Sequence, residues 1–149
     1  MEVLSVLEIQ TEARGNKVIV DVNPDVPFQV RTDKNRMQQV LLNLTTNANK
    51  FQSNKDIKIY CFYKEEPLAL EFRVEDQGIG ILEKDIQQLF QPYSKIDHGK
   101  QLNPNGVGLG LNICKKVLEK IGGGIWLKET HELGSTFCFN ILLWGVTHE

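Results

Sequence analysis

Residues 33–51 read DKNRMQQVLLNLTTNANKF. At about 100° per residue, Met37, Val40, Leu41, Leu44, Ala48 and Phe51 fall within an arc of roughly 100°, the apolar stripe of a helix that packs on a core. Thr32 and Asp33 both stand where a cap belongs, so the spacing predicts a helix over 34–52. A second row, Arg36, Gln39, Asn43, Asn47 and Lys50, lies within about 80° and borders the apolar arc. Because the stretch after this helix changes period from 3.6 to 2, the helix must lie on a sheet.

The two segments that follow, DIKIYCFY (56–63) and LALEFRVED (68–76), read as strands around the turn KEEP. In the second, Leu68, Leu70, Phe72 and Val74 alternate with Glu71, Arg73 and Glu75. Upstream, residues 2–13 are compatible with a short helix, KVIVDV (17–22) with a strand and FQVR (28–31) with a short extended piece. Downstream come a short helix around 83–89, an irregular polar stretch over 91–105 with two prolines, a helix over about 108–121, and two strands, IWLKE (125–129) and STFCFNILLW (135–144). Helices separated by strand pairs predict an α/β (α+β) class, a two-layer sandwich whose mixed, mostly antiparallel sheet of about five strands carries three helices on one face.

The chain's 149 residues, 41% hydrophobic and 24% charged, suit one soluble domain spanning 1–149. A formal net charge of −2 supplies no basic field for nucleic acid or an anionic membrane, so any anion site is local. Nothing approaches the roughly 18 apolar residues of a membrane span, and the N-terminus carries acidic residues where a signal peptide is basic. A cytoplasmic setting is expected, as a free protein or as the cytosolic part of a membrane-bound one. Cys61, Cys114 and Cys138 are widely spaced in apolar surroundings and read as buried, reduced thiols.

Three stretches can carry chemistry. Asparagine is a mediocre helix former, yet Asn43 and Asn47 sit four apart, one above the other, with Lys50 on the next turn. An amide oxygen suits Mg²⁺ that already carries phosphate oxygens, and a lysine suits the phosphate; the same row also serves as a solvated helix face. In EDQGIGI (75–81) a strand delivers Asp76, and Gly78 and Gly80 let the backbone turn and approach a ligand. A carboxylate only accepts hydrogen bonds, so Asp76 would select a donor such as the adenine amine; a plain strand-ending turn is the other reading. Third, PNGVGLGL (104–111) places Gly106, Gly108 and Gly110 before an apolar-spaced helix, where successive backbone N–H groups and the helix N-terminus cradle a phosphate, or form a hinge. The spacing is neither the dinucleotide fingerprint nor a Walker loop.

In order, DKNRMQQVLLNLTTNANKF, VEDQGIGI, LFQPYSK and NGVGLGLNICKKVLEKIGGGIWLKE resemble the N, G1, F and G2 boxes of the ATP-binding catalytic domain of sensor histidine kinases, a superfamily shared with gyrase B, Hsp90 and MutL. The resemblance covers about residues 17–143. It implies a Bergerat-type sandwich with ATP and Mg²⁺ between the first long helix and a lid over 91–105. By position, Asn47 would be the Mg²⁺ ligand, Asn43 the residue beside the γ-phosphate, Lys50 a phosphate contact and Asp76 the adenine reader. Gly78 and Gly80 would shape the adenine side. Gly106, Gly108 and Gly110 would hold the lid end against the phosphates, Phe90 would anchor the lid, and Lys95 stands where such kinases often place a basic residue toward the γ-phosphate. In GSTF (134–137), Ser135 or Thr136 would bond near Asp76.

Two departures bear on packing: Asn49 stands where the family usually has an apolar residue, and Ser53 falls near a usual threonine. The family's acceptor histidine and its dimerising hairpin have no counterpart here, since His98, His131 and His148 read as surface histidines. The resemblance therefore implies the catalytic fragment of a larger kinase, monomeric in isolation, with residues 1–16 as the linker from that hairpin. Its partners would be the hairpin and a downstream response regulator, with no nucleic acid and no direct membrane contact. The competing functions are an ATP hydrolase of the superfamily and a non-catalytic nucleotide-sensing module. Asn43 argues against hydrolysis, because hydrolases need a carboxylate there to take a proton from water.

Overall fold

In the computed structural model, which describes residues 2–91 and 107–148, the elements run α1 (Glu2–Glu12), β1 (Lys17–Val22), β2 (Gln29–Arg31), α2 (Lys34–Lys50), β3 (Asp56–Glu65), β4 (Leu68–Glu75), α3 (Glu83–Ile86), α4 (Val107–Lys120), β5 (Gly124–His131), β6 (Gly134–Leu142) and β7 (Gly145–Thr147). Asp33 decides where α2 begins, because its carboxylate accepts the Arg36 N–H at 3.1 Å and satisfies a donor that the first turn cannot. Thr32 is occupied elsewhere, its hydroxyl donating to the Leu142 carbonyl at 2.7 Å.

Five strands form one sheet in the order β1-β3-β4-β6-β5, with β1 parallel to β3 and every other pair antiparallel. The registers line up apolar rows across it: Cys61, Phe72, Phe139 and Ile125 in one, Ile59, Val74, Phe137 and Leu127 in the next. These rows form one core with Leu41 and Leu44 of α2 and with Leu111 and Leu118 of α4. Phe72 and Phe139 stack at 4.9 Å between ring centroids. Each such side chain contributes about 1.5–3 kcal/mol when withdrawn from water. Period-2 alternation sends Tyr60, Phe62, Glu71 and Arg73 to the opposite face, where Arg73 pairs with Glu71 at 2.9 Å and lies 4.4 Å from the Phe62 ring centroid. One sheet face is apolar and covered by helices, and that is the two-layer sandwich.

The described residues hold the four helices read from the sequence. α1 joins α2 and β1, burying Leu7 completely and Thr11 almost so. α3 is a single four-residue turn, shorter than the 83–89 expected. The last expected strand also ends early. β6 stops at Leu142, and the chain crosses to pair β7 antiparallel with β2 in a separate two-stranded sheet, Trp144 donating its N–H to the Arg31 carbonyl at 2.7 Å. A continuous apolar run cannot show where a strand stops, because the same period continues past the stop.

Candidate nucleotide site

Asp76 follows β4 directly, and the sheet fixes its backbone, since its N–H donates to the Ser135 carbonyl at 2.9 Å. Its carboxylate lies in a pocket walled by Leu44, Ala48, Phe51, Val74, Ile81 and Phe137. Both backbone donors that reach the carboxylate, Gly78 N–H at 2.9 Å and Ser135 N–H at 3.2 Å, go to Oδ1. Among the described residues no donor reaches Oδ2. Burial is the largest influence on this group and pushes its pKa up; the Gly78 and Ser135 N–H groups oppose it, Glu75 adds to it and His131 works against it. An ionised acceptor in such a pocket is costly, and a ligand N–H offsets that cost.

The loop after Asp76 needs its glycines. Gly80 has φ +77°, and a Cβ there would stand 2.1 Å from the His131 carbonyl oxygen. At Gly78 a Cβ would meet the Phe51 carbonyl at 2.8 Å. Farther along, the Ile81 N–H donates to Thr130 Oγ1 at 2.9 Å, and that hydroxyl is 2.7 Å from Ser135 Oγ.

α2 forms the opposite wall. Asn47 lines the same pocket as Asp76, and its Nδ2 is buried without a partner among the described residues. A buried donor without a partner costs about 1–3 kcal/mol. Turning the amide exchanges its nitrogen and oxygen with little change of shape, so the position can present a neutral oxygen to a cation, which is the chemistry Mg²⁺ on a phosphate requires. One turn earlier, Asn43 donates Nδ2 to Cys114 Sγ of α4 at 3.4 Å, while Lys50 is exposed and lines a neighbouring depression with Gln77 and Gly78. The first turn of α4 contains Gly108 and Gly110, and among the described residues nothing lies within 4 Å of a Cβ placed on Gly110. Packing among the described residues therefore does not require glycine at 110. Phe90 packs edge-on against Phe137 at 6.4 Å between centroids.

The histidine kinase-, DNA gyrase B- and HSP90-like ATPase family matches residues 32–144, a span from the cap of α2 to the end of the sheet. The chain belongs to this ATPase family. Among its relatives, hybrid signal transduction histidine kinase B of Dictyostelium discoideum is 36% identical over 131 residues, covering 86% of this chain and 7% of that protein. BarA, a signal transduction histidine-protein kinase of Escherichia coli K12, is 34% identical over 145 residues, covering 95% of this chain and 16% of BarA. The chain thus spans only a small part of the curated relatives it matches. The catalytic domain of the histidine kinase ThkA superposes with a TM-score of 0.74 at 29% identity, over 95% of this chain and 89% of that domain. Full-length ShkA in complex with AMPPNP superposes with a TM-score of 0.82 at 21% identity, over 99% of this chain and 30% of ShkA, a likeness of fold. The domain is accordingly an ATP-binding domain of the kind that histidine kinases contain.

Within this ATPase-family domain, the structure brings Asp76, Gly80 and Asn47 to one pocket, places Gly78 and Lys50 together just outside it, and sets Asn43 against α4. Of the two candidates after Gly134, Ser135 is the one at Asp76; Thr136 pairs with Glu75 on the opposite face of the sheet. Lys95, Gly106 and most of the 91–105 stretch lie outside the described residues. Sequence reasoning passed over Thr130 and Gln52, whose Oε1 accepts the Gln77 N–H at 2.7 Å. No local signal marks either residue, because each acts on a loop remote from it in the chain.

Proposed function

We propose that this chain is the Mg-ATP-binding catalytic domain of a sensor histidine kinase, donating the γ-phosphoryl group to a histidine on a separate dimerisation hairpin. The observation that carries the reading is the pairing of an acceptor-only, desolvated Asp76 with a wall that offers amides, Asn43 and Asn47, and no carboxylate. Asp76 accepts the adenine amine through Oδ2 and so selects adenine nucleotides. Asn47 would hold Mg²⁺, which neutralises phosphate charge when bound. Lys50, Lys95 and the backbone N–H groups of Gly106, Gly108 and Gly110 are the phosphate contacts, with Asn43 beside the γ-phosphate and Phe90 anchoring the lid. Asn43 cannot act as the base that deprotonates water, whereas a neutral imidazole needs no such base to attack phosphorus. Transfer then depends on positioning and charge neutralisation.

In this reading the isolated domain is a monomer, it works on the cytoplasmic side, and a response regulator receives the phosphoryl group downstream. Among the described residues no helix is long and apolar enough to cross a membrane. Incubating the chain with γ-labelled ATP, with and without the parent kinase's hairpin, tests the proposal. Label should appear on the hairpin histidine only. Label on this chain, or phosphate release at hydrolase-like rates without the hairpin, overturns it.

A further inference from the structure

The loop that carries Asp76 is joined to the end of α2 and to α1 by a cluster of side-chain amides, two of them buried. Gln52, directly after α2 and only 5% exposed, accepts the Gln77 N–H at 2.7 Å through Oε1 and donates Nε2 to the Asp56 carbonyl at 3.2 Å and to Asn16 Oδ1 at 3.3 Å. Asn16, in the connection between α1 and β1 and likewise 5% exposed, donates Nδ2 to Asn49 Oδ1 at 2.8 Å and to the Gln52 carbonyl at 3.1 Å, while its Oδ1 also accepts the Lys55 N–H at 3.2 Å. Asn49, the polar residue at an ordinarily apolar place, closes the cluster by donating Nδ2 to the Gln10 carbonyl of α1 at 3.3 Å. From Gln10 to Gln77 the bonds are continuous.

We infer that Gln52 is a positioning residue for adenine recognition: it fixes the Gln77 peptide, and with it the orientation of the Asp76 carboxylate, and through Asn16 and Asn49 it couples that orientation to the seating of α1. The inference rests on the reading of Asp76 as the adenine acceptor. Its physical basis is the low exposure of the cluster. Gln52 Oε1 belongs to a buried side chain, so its removal leaves the part-buried Gln77 N–H without its acceptor and the peptide shifts toward another. Gln77 is adjacent to Asp76, and Gly78, one residue further, donates to the same carboxylate. A shift of the Gln77 peptide therefore turns Asp76 away from the one ligand atom it reads.

Inosine triphosphate differs from ATP only at the base edge, where a carbonyl replaces the exocyclic amine and N1 carries a hydrogen, so the comparison reads the edge that Asp76 faces. Calorimetric affinities for both nucleotides should be measured on the full chain, on Gln52→Met, which removes acceptor and donor, on Gln52→Glu, which keeps the acceptor for Gln77, and on Asn16→Ala. The ATP preference of the parent should fall about tenfold in Gln52→Met and by about threefold in Gln52→Glu and in Asn16→Ala, each of which breaks the Gln52–Asn16 bond and leaves Gln77 an acceptor. A merely structural Gln52 would lower the melting temperature and leave the ratio of the two affinities unchanged, and that result overturns the inference. Should Gln52→Met not fold, Gln52→Glu and Asn16→Ala carry the test: a larger loss of preference in Gln52→Glu than in Asn16→Ala overturns the acceptor assignment. An unchanged ratio in Asn16→Ala overturns the coupling to α1. A parent chain that binds ATP without preferring it over inosine triphosphate refutes the Asp76 reading itself, and the inference falls with it.

Discussion

Replacing Asp76 by Asn separates what this carboxylate does for the fold from what it does for the ligand. The two N–H groups that fix it, from Gly78 and Ser135, both reach Oδ1. An asparagine that keeps those bonds must direct Oδ1 the same way, which puts its NH₂ where Oδ2 received the ligand. The adenine amine then faces a donor, and a buried mismatch of this kind costs about 2 kcal/mol, a factor of about 30 in affinity. Calorimetry with ATP and GTP should show ATP weakened by that factor and most of the selectivity lost. Stability should move the other way. Burial raises the folded-state pKa of Asp76, so its contribution to stability is full below the unfolded value near 3.9 and is lost as pH rises through the folded value. At neutral pH the parent bears the desolvated charge and Asp76→Asn does not. The variant should melt higher than the parent at pH 7, with the difference shrinking toward pH 4. A variant that keeps the parent's ATP-over-GTP preference refutes the assignment of Asp76, and one that melts lower at pH 7 than at pH 4 relative to the parent refutes the electrostatic argument.

Asn47→Ala should abolish most of the Mg²⁺ dependence of ATP affinity while metal-free binding changes little; titrations with and without the metal check it, and undiminished dependence would move the role to Asn43. Burial holds the thiol of Cys61 up to about 12 and that of Cys138 up to about 11, and raises Cys114 as well. At pH 8 the thiolate fraction at Cys138 is on the order of one in a thousand, so intact-mass analysis after iodoacetamide should find the native chain unmodified and the denatured chain carrying three additions. Leu118→Ala, at a completely buried position of α4, should cost about 2–5 kcal/mol, with the melting temperature falling by roughly 2–4 °C per kcal/mol.

Several features of this domain were legible locally. The period of 3.6 over 34–51 and the alternation of 68–75 each follow from a single element that must turn one side to an apolar core, so α2 and β4 could be placed from their own residues. Asp76, Gly78 and Gly80 read locally as either a ligand loop or a plain strand-ending turn, a choice that their own residues leave open. The stop of β6 at Leu142 inside the last apolar run, the pairing of β2 with β7, and the recruitment of α1 into the helical layer depended on segments far apart in the chain, where the same local pattern satisfies more than one partner.

The sequence by itself determined the chemistry on offer: which helix is amphipathic, which residues can accept from an amine, and that Asn43 is an amide and not a base. Tertiary structure alone decided how those groups face one another. Ser135 reaches Asp76 through its backbone N–H because the β4–β6 pairing sets it beside the end of β4, and Gln52 and Asn16 come together only because the end of α2, the α1–β1 connection and the Asp76 loop converge around these two buried side chains. Periodicity is a property of one segment, whereas register and burial are properties of pairs of segments, and hydrogen bonds become selective only once burial removes the water that would otherwise compete for them.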